Sequence, residues 1–313
     1  MRRPFARITA LHRVILATDL AKSYAGRPVL RGVSLRAEPG HVFGFVGPNG
    51  AGKTTFLKCL VGVVRPDSGS IEVDGVDARG NALEARRRVG YAPSETALYQ
   101  RMPVEELVDF AISFHPAPDR ARARELIGLF GLPPRRRAGK LSHGMKRKLL
   151  LAQAFAANAP VLLLDEPMEG LDPEARRIVE DLLREEAARG RTVFFSSHDL
   201  ASVQRVCHEV AFLRSGNILE CASVPALLER VSKILVVVLR EPRSRQDLPD
   251  SPHFQWSGSG ERWNLTLDCP LEQVLPQLAA LPLAGVRDAS GGLEELFEAL
   301  YGPDAEDAAE TEA

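Results

Sequence analysis

The sequence predicts an α/β protein with a parallel-sheet core, a helical insert and a small α+β appendage. A glycine-rich loop, Gly47-Pro48-Asn49-Gly50-Ala51-Gly52-Lys53-Thr54-Thr55, stands between an apolar strand-like run and a helix-like run. The fully apolar run Val161-Leu162-Leu163-Leu164 and a second buried-strand run, Thr192-Val193-Phe194-Phe195-Ser196, alternate with helical stretches, as strands buried on both faces do. Near Ser232 the composition changes to β-rich segments separated by a Pro-, Arg- and Asp-rich loop.

A chain of 313 residues has room for about two domains. Its hydrophobic content of 45% with 26% charged residues is that of an ordinary globular protein. The net charge of −1 gives no reason to expect nucleic acid or an acidic membrane surface as partner. Cys59, Cys207, Cys221 and Cys269 lack C-x-x-C spacing and read as buried thiols of a reducing compartment. The most apolar stretch, Leu149 to Leu164, is too short to span a bilayer and is interrupted by Gln153, Asn158 and Pro160. A membrane role would need a separate spanning protein.

In chain order, residues 1 to 12 form a basic lead-in with no apolar region of secretory type behind it. Val14 to Ala17 and Val29 to Leu35 carry strand-like apolar runs. His41 to Val46 is the short strand before the glycine loop, and Thr54 to Leu60 the helix after it. Arg65 to Gly69 is a turn into the alternating strand Ser70 to Gly75. Ala82 to Arg88 is helical, with Arg86-Arg87-Arg88 as a solvated face, and Val89 to Pro93 returns as a strand. Pro103 to Phe130 is helical except at His115 to Pro118, and residues 144–157 and Pro173 to Ala188 are further helices. In the appendage, Ile234 to Leu239 is a strand, and Phe254 to Trp256 and Arg262 to Leu267 read as a hairpin around Ser257 to Gly260. The aromatic alternation there reads as the core of a small sheet in preference to a regulatory ligand site. Leu271 to Leu281 and Leu293 to Tyr301 are helical, with Pro276 expected to kink or split the first. The acidic last residues have no apolar anchor and are expected to be disordered.

The glycine loop matches G-x-x-x-x-G-K-[ST] in the strand–loop–helix context that aims backbone N–H groups at a phosphate. Gly47, Asn49, Gly50, Gly52, Lys53, Thr54 and Thr55 are the expected binding residues. Lys53 would reach the β- and γ-phosphates, and the Thr54 hydroxyl would be a Mg²⁺ ligand. Asp165 and Glu166 emerge at the C-terminal end of an apolar strand, the edge where open α/β sheets bind ligands. Asp165 is placed to hold Mg²⁺ through water and Glu166 to polarise an attacking water. His198 ends another core strand and faces the same edge, where it can hydrogen-bond the γ-phosphate or orient that water. Leu141-Ser142-His143-Gly144-Met145 precedes a helix, with Ser142 as a natural N-cap, and makes a second anion site.

Together, Gly47–Thr55, Leu141–Met145, Leu162–Glu166, Gly170-Leu171-Asp172 and His198 resemble the ATPase subunit of an ABC transporter over roughly residues 14–230. The resemblance implies a P-loop NTPase core of ABC type with an antiparallel β subdomain and a helical subdomain. The expected divisions are an ATPase domain at 13–231 with the helical subdomain at about 95–157, an α+β domain at 232–302 and an acidic tail at 303–313. It also implies ATP and Mg²⁺ as cofactors and a head-to-tail dimer of two copies. Each ATP would lie between one phosphate loop and the Ser142/Gly144 helix start of the other copy. A separate integral membrane permease would hold the pair at the cytoplasmic face of the membrane. By position, Tyr24 would stack on adenine and Asp172 would signal across the dimer.

Two departures stand out. His143 and Met145 replace residues that are usually Gly and often Gln, and Met in the fifth place resembles the exporter branch. The closing segment Leu293 to Gly302 resembles the end of such exporters over about ten residues. After Pro93 the family usually places Gln, which reaches Mg²⁺ and the attacking water. Ser94 stands there, able to reach the metal only through a water, with Glu95 beside it as a possible substitute. The resemblance therefore implies ATP hydrolysis powering a permease, with the exporter branch setting the expected direction. The alternatives are a soluble ABC ATPase without a permease and a slowly hydrolysing, nucleotide-gated dimerisation module. An unrelated P-loop kinase or GTPase is disfavoured by Leu141–Met145.

Overall fold

The computed structural model describes residues 15–231, 233–289 and 291–301. The expected basic lead-in and acidic tail lie outside the described residues. The chain forms two compact units, which divide between Val224 and Pro225.

In the first unit, β1 (Ile15–Tyr24) and β2 (Arg27–Ala37) pair antiparallel, and β3 (Val42–Val46) leads through the glycine loop into α1 (Lys53–Leu60). Next come β4 (Ser68–Val73), β5 (Val76–Asp77), α2 (Ala82–Arg87) and β6 (Val89–Ala92). The helical insert is α3 (Val104–Ile112), α4 (Arg120–Leu129) and α5 (His143–Ala156). Then follow β7 (Val161–Asp165), α6 (Pro173–Ala188), β8 (Thr192–Ser197), α7 (Leu200–Val206), β9 (Glu209–Arg214) and β10 (Asn217–Ser223).

Two sheets result. One is four-stranded and antiparallel in the order β2-β1-β4-β5, and the other is six-stranded in the order β10-β9-β3-β8-β7-β6. In the second sheet every pair except β10/β9 is parallel. β3, β7 and β8 are buried along their whole length, which is why their sequences are runs without polar alternation. Phe45, Phe56 and Phe194 pack ring to ring with centroids 4.9–5.9 Å apart, fixing α1 against the sheet. Helix starts follow local chemistry. Asn81, Asp119, Ser142 and Asp172 each accept a backbone N–H at the start of α2, α4, α5 and α6, and Pro173 takes the first turn of α6.

The register decides where the site forms. Val46 sits beside Ser197, Asp165 beside Ser196, and Ala92 beside Leu164. The residues that follow β3, β6, β7 and β8 therefore leave the sheet at one C-terminal edge.

β1 and β2 run further than their apolar cores suggest. The Ala25-Gly26 turn that joins them takes φ of 48° and 79°. A left-handed alanine is a turn choice that composition does not signal. Among the four cysteines only Cys59 is buried. Cys207 and Cys269 are intermediate and Cys221 is exposed, so the expectation of four buried thiols is corrected. All four are free.

The second unit holds α8 (Val224–Leu228, its first residue on the border), β11 (Lys233–Arg243), β12 (Phe254–Leu267), α9 (Leu271–Ala279), β13 (Leu283–Asp288) and α10 (Leu293–Tyr301). Its sheet is antiparallel in the order β12-β11-β13. The expected hairpin within residues 254–267 forms inside β12, where the Asp268 N–H donates to the His253 carbonyl at 2.9 Å and Gly258 lies against Arg262 and Trp263 of the returning arm. Gly258 and Gly260 take φ of 128° and 67° in its bend, and the returning arm pairs with β11 with a register shift between Val238 and Arg243. Trp256 and Trp263 lie in the core of this unit, edge to face at 6.4 Å. Their indole N–H groups donate to the Pro249 and Gly260 carbonyls, which satisfies both polar atoms. Pro276 sits inside α9 without splitting it.

Candidate functional site

A cleft of about 460 Å³ opens at the C-terminal edge of the parallel sheet. Tyr24, Val29, Pro48, Asn49, Gly50, Gly52, Lys53, Thr54, Thr55, Ser94, Glu166 and Glu169 line it. The glycine loop forms its floor because two of its residues hold backbone shapes that side chains resist. Gly50 and Gly52 have φ of 83° and 113°. Gly47 serves differently. It has no left-handed φ and does not line the cleft, but a Cβ there would stand 2.3 Å from the Leu213 carbonyl oxygen. Its role is close approach to β9.

Lys53 opens α1 and is only 6% exposed. Its ammonium donates to the carbonyls of Gly47 (2.6 Å) and Pro48 (3.2 Å), and lies 3.2 Å from Glu166 Oε1. That last contact is an ion pair without hydrogen-bond alignment, since Oε1 has no hydrogen-bond partner. Glu166 Oε2 is 2.9 Å from His198 Nδ1. Lys53, Glu166 and His198 thus form one cluster, drawn from the start of α1 and the ends of β7 and β8. Glu166 takes a left-handed φ of 51°, a conformation that costs a non-glycine residue roughly 1–3 kcal/mol and gathers at functional sites.

Asp165 is fully buried, and its Oδ1 accepts from the Ser196 hydroxyl at 2.6 Å. The same Ser196 Oγ accepts the Glu166 N–H at 2.9 Å. Asp165 Oδ2 has no partner. An unpaired, buried carboxylate oxygen costs at least 1–3 kcal/mol and is a hard donor suited to a divalent cation. With Thr54 and Ser94 lining the cleft, the residues present fit Mg²⁺.

Tyr24 ends β1 at the cleft wall with its side chain 46% exposed. Ser94 lines the cleft, whereas Glu95 does not. Glu95 is 77% exposed and lies 3.5 Å from Lys58, so a stand-in role for Glu95 in the cleft is not supported. The added carboxylate is instead Glu169, which is three residues after Glu166, donates its N–H to the Glu166 carbonyl at 3.1 Å and is exposed at the cleft wall.

Ser142, Gly144 and Asp172 do not line this cleft. Ser142 is exposed and accepts the Met145 N–H at 3.3 Å as the cap of α5. A Cβ at Gly144 would meet the Gly170 carbonyl at 3.1 Å, and the His143 ring lies against Gly170. Asp172 caps α6 through Oδ1 and pairs with Lys148 through Oδ2 at 2.9 Å. The Lys148 bond, then the cap, hold its carboxyl below the usual range.

Two residues with structural claims on the site were not singled out in the sequence. Ser196 joins Asp165 to Glu166, and the pairing of β7 with β8 is what puts it there. Arg147 is 2% exposed in α5, and its guanidinium donates to the carbonyls of Pro93, Asp165 and Glu166. In the sequence it hides between Lys146 and Lys148, but it shares the helical spacing i, i+3, i+4, i+7 with the buried Leu150, Leu151 and Ala154.

Residues 30–169 match the family model described as ABC transporter. A Burkholderia thailandensis protein named Nod factor export ATP-binding protein I is 36% identical over 92% of this chain and 97% of its own length. The Bacillus subtilis ABC transporter ATP-binding protein YtrB is 33% identical over 69% of this chain and 74% of its own. A solved ATP-binding subunit of an ABC transporter superposes with a TM-score of 0.65 at 27% identity, covering 69% of this chain and 92% of the other.

Proposed function

This chain belongs to the ABC transporter family, as an ATP-binding subunit and an ATPase, and from that premise we propose that two copies close head to tail around two MgATP to drive a separate membrane permease in export. The observation that carries the hydrolytic part is the Lys53–Glu166–His198 cluster at the mouth of the phosphate loop.

In this reading the loop N–H groups and Lys53 bind the phosphates, and Tyr24 stacks on adenine. Glu166 accepts the proton of a water aligned with the γ-phosphate, and His198, bonded to Glu166, orients both. Mg²⁺ held through Asp165 Oδ2, Thr54 and a Ser94-bound water would neutralise phosphate charge. Ser142 and Gly144, at a helix start outside their own cleft, are suited to the γ-phosphate of the other copy's ATP. Asp172 lies beside that helix through Lys148, which supports a role in signalling between copies.

The permease is supported by a second feature of the surface. A groove of about 410 Å³ is lined by Val61, Val63, Leu83, Tyr91, Phe114 and His115 among others. Val63, Leu83 and Phe114 are each at least 60% exposed, an apolar display that solution does not favour. No helix among the described residues is long and apolar enough to cross a membrane. Export follows the printed name of the Burkholderia relative, and attachment at the cytoplasmic face follows from the proposed permease. The test is affinity purification of the tagged chain from detergent-solubilised membranes. A multi-span protein is expected to copurify, and Phe114→Asp with Leu83→Asp should release it while ATP turnover in solution stays unchanged. Copurification of soluble proteins alone would favour an ABC ATPase without a permease.

Ser94 favours a second, narrower reading, that of slow basal turnover. Its side chain is two bonds shorter than Gln in reach to the metal and the water. Ser94→Gln should raise turnover several-fold, about 3–10-fold for one added polar contact of roughly 1 kcal/mol. Steady-state phosphate release measures it, and an unchanged rate removes the slow-turnover reading.

A further inference from the structure

We propose that Arg147 is the positioning residue of the general base, a clamp that holds Glu166 in its left-handed conformation from within the helix headed by Ser142. The proposal rests on the reading of Glu166 as the base.

The geometry is specific. The Asp165 and Glu166 carbonyls belong to the two peptides that flank the Glu166 Cα, and one terminal nitrogen of Arg147 donates to both. The other terminal nitrogen donates to the Pro93 carbonyl, one residue before Ser94. From the opposite side the Glu166 N–H is held by Ser196 Oγ. The backbone of one strained residue is thus fixed on both of its peptides, and the loop bearing Ser94 is tied to the same fork.

A packing role alone does not account for this arrangement. A buried guanidinium is costly, and an apolar side chain of similar volume would pack against Leu150, Leu151 and Ala154 without that cost. Yet every hydrogen bond of Arg147 goes to a backbone carbonyl, its Nε has no partner, and burial lowers its pKa despite nearby Asp165, Glu169 and Glu166. What the planar fork supplies, and a point charge does not, is two donors on two separate peptides at once. Because Ser142 lies five residues before Arg147 on the same helix, movement of that helix start is transmitted to the carboxylate of its own subunit.

The experiment compares Arg147→Gln, Arg147→Lys, Glu166→Gln and the Arg147→Gln/Glu166→Gln double variant in the full-length chain. Single-turnover ATP hydrolysis, affinity for a fluorescent ATP analogue with Mg²⁺, and the thermal midpoint are measured. Arg147→Gln should lower the rate at least about tenfold while nucleotide affinity stays within about threefold, the pattern of a lost transition-state interaction. Arg147→Lys, with its charge kept but its fork lost, should fall between Arg147→Gln and the unaltered chain. In the double variant the Arg147 change should cost nothing beyond Glu166→Gln, because the clamp acts through that carboxylate. Losses that multiply, or an Arg147→Gln rate within about twofold of the unaltered chain, overturn the clamp while leaving the base assignment standing. A Glu166→Gln variant that hydrolyses normally overturns the base reading and the clamp together. Should Arg147→Gln fail to fold, Arg147→Lys in the two Glu166 backgrounds decides the same question.

Discussion

Replacing Glu166 by glutamine is expected to lower ATP turnover by about 10²–10⁴-fold, the range for removing a general base. The shape of the side chain is conserved, so the hydrogen bond to His198 Nδ1 and the neighbouring Lys53 remain available. Binding should not weaken. In the unaltered chain the Glu166 carboxylate sits 3.2 Å from the Lys53 ammonium, where it competes with phosphate for that cation. A neutral amide removes the competitor and a like charge next to the γ-phosphate. The variant should therefore hold ATP at equal or higher affinity and accumulate as a nucleotide-bound dimer. Single-turnover kinetics together with size-exclusion chromatography in MgATP check both halves. Unchanged turnover would remove Glu166 from the role of base.

The second large effect is expected at Lys53. It is the cation seated against the glycine loop, and its ammonium is preorganised by the Gly47 and Pro48 carbonyls at 2.6 and 3.2 Å. Lys53→Ala removes charge-assisted hydrogen bonds worth about 1.5–3 kcal/mol, or roughly 10–150-fold in ATP affinity. It also removes stabilisation of charge that builds on the transferred phosphoryl group, so turnover at saturating ATP should fall as well. Equilibrium binding of a fluorescent nucleotide and steady-state turnover separate the two losses. Affinity and turnover both within about twofold of the unaltered chain would contradict the phosphate-binding role. Because Lys53 also faces Glu166, the loss in Lys53→Ala/Glu166→Gln should be smaller than the product of the single losses.

The parts of the site that could be read from residues alone are those whose chemistry is local. Gly50 and Gly52 announce a backbone shape, and Ser142 and Asp172 announce helix starts. Asp165, Glu166 and His198 follow apolar runs that can only be buried strands, so their place at a sheet edge follows as well. What was not legible has a common cause. Glu95 has the charge to enter the cleft, but the chain direction after Pro93 sends it to Lys58, and Glu169 lines the wall instead. At Gly47 a further constraint comes from Leu213 on another strand, which no neighbouring residue signals.

By itself the sequence determined the fold class, the glycine loop and the two carboxylates that leave the sheet edge. Each of these is written in nearest neighbours along the chain, as apolar period, glycine spacing and cap residues. Tertiary structure alone decided which groups meet: β8 lying between β3 and β7 brings His198 to Glu166 and Ser196 to Asp165, and α5 crossing behind them brings Arg147 to three carbonyls. Carbonyl oxygens are present at every residue and carry no sequence signal, so an arginine that binds them leaves no motif. Its place is set by how a helix packs on a sheet edge.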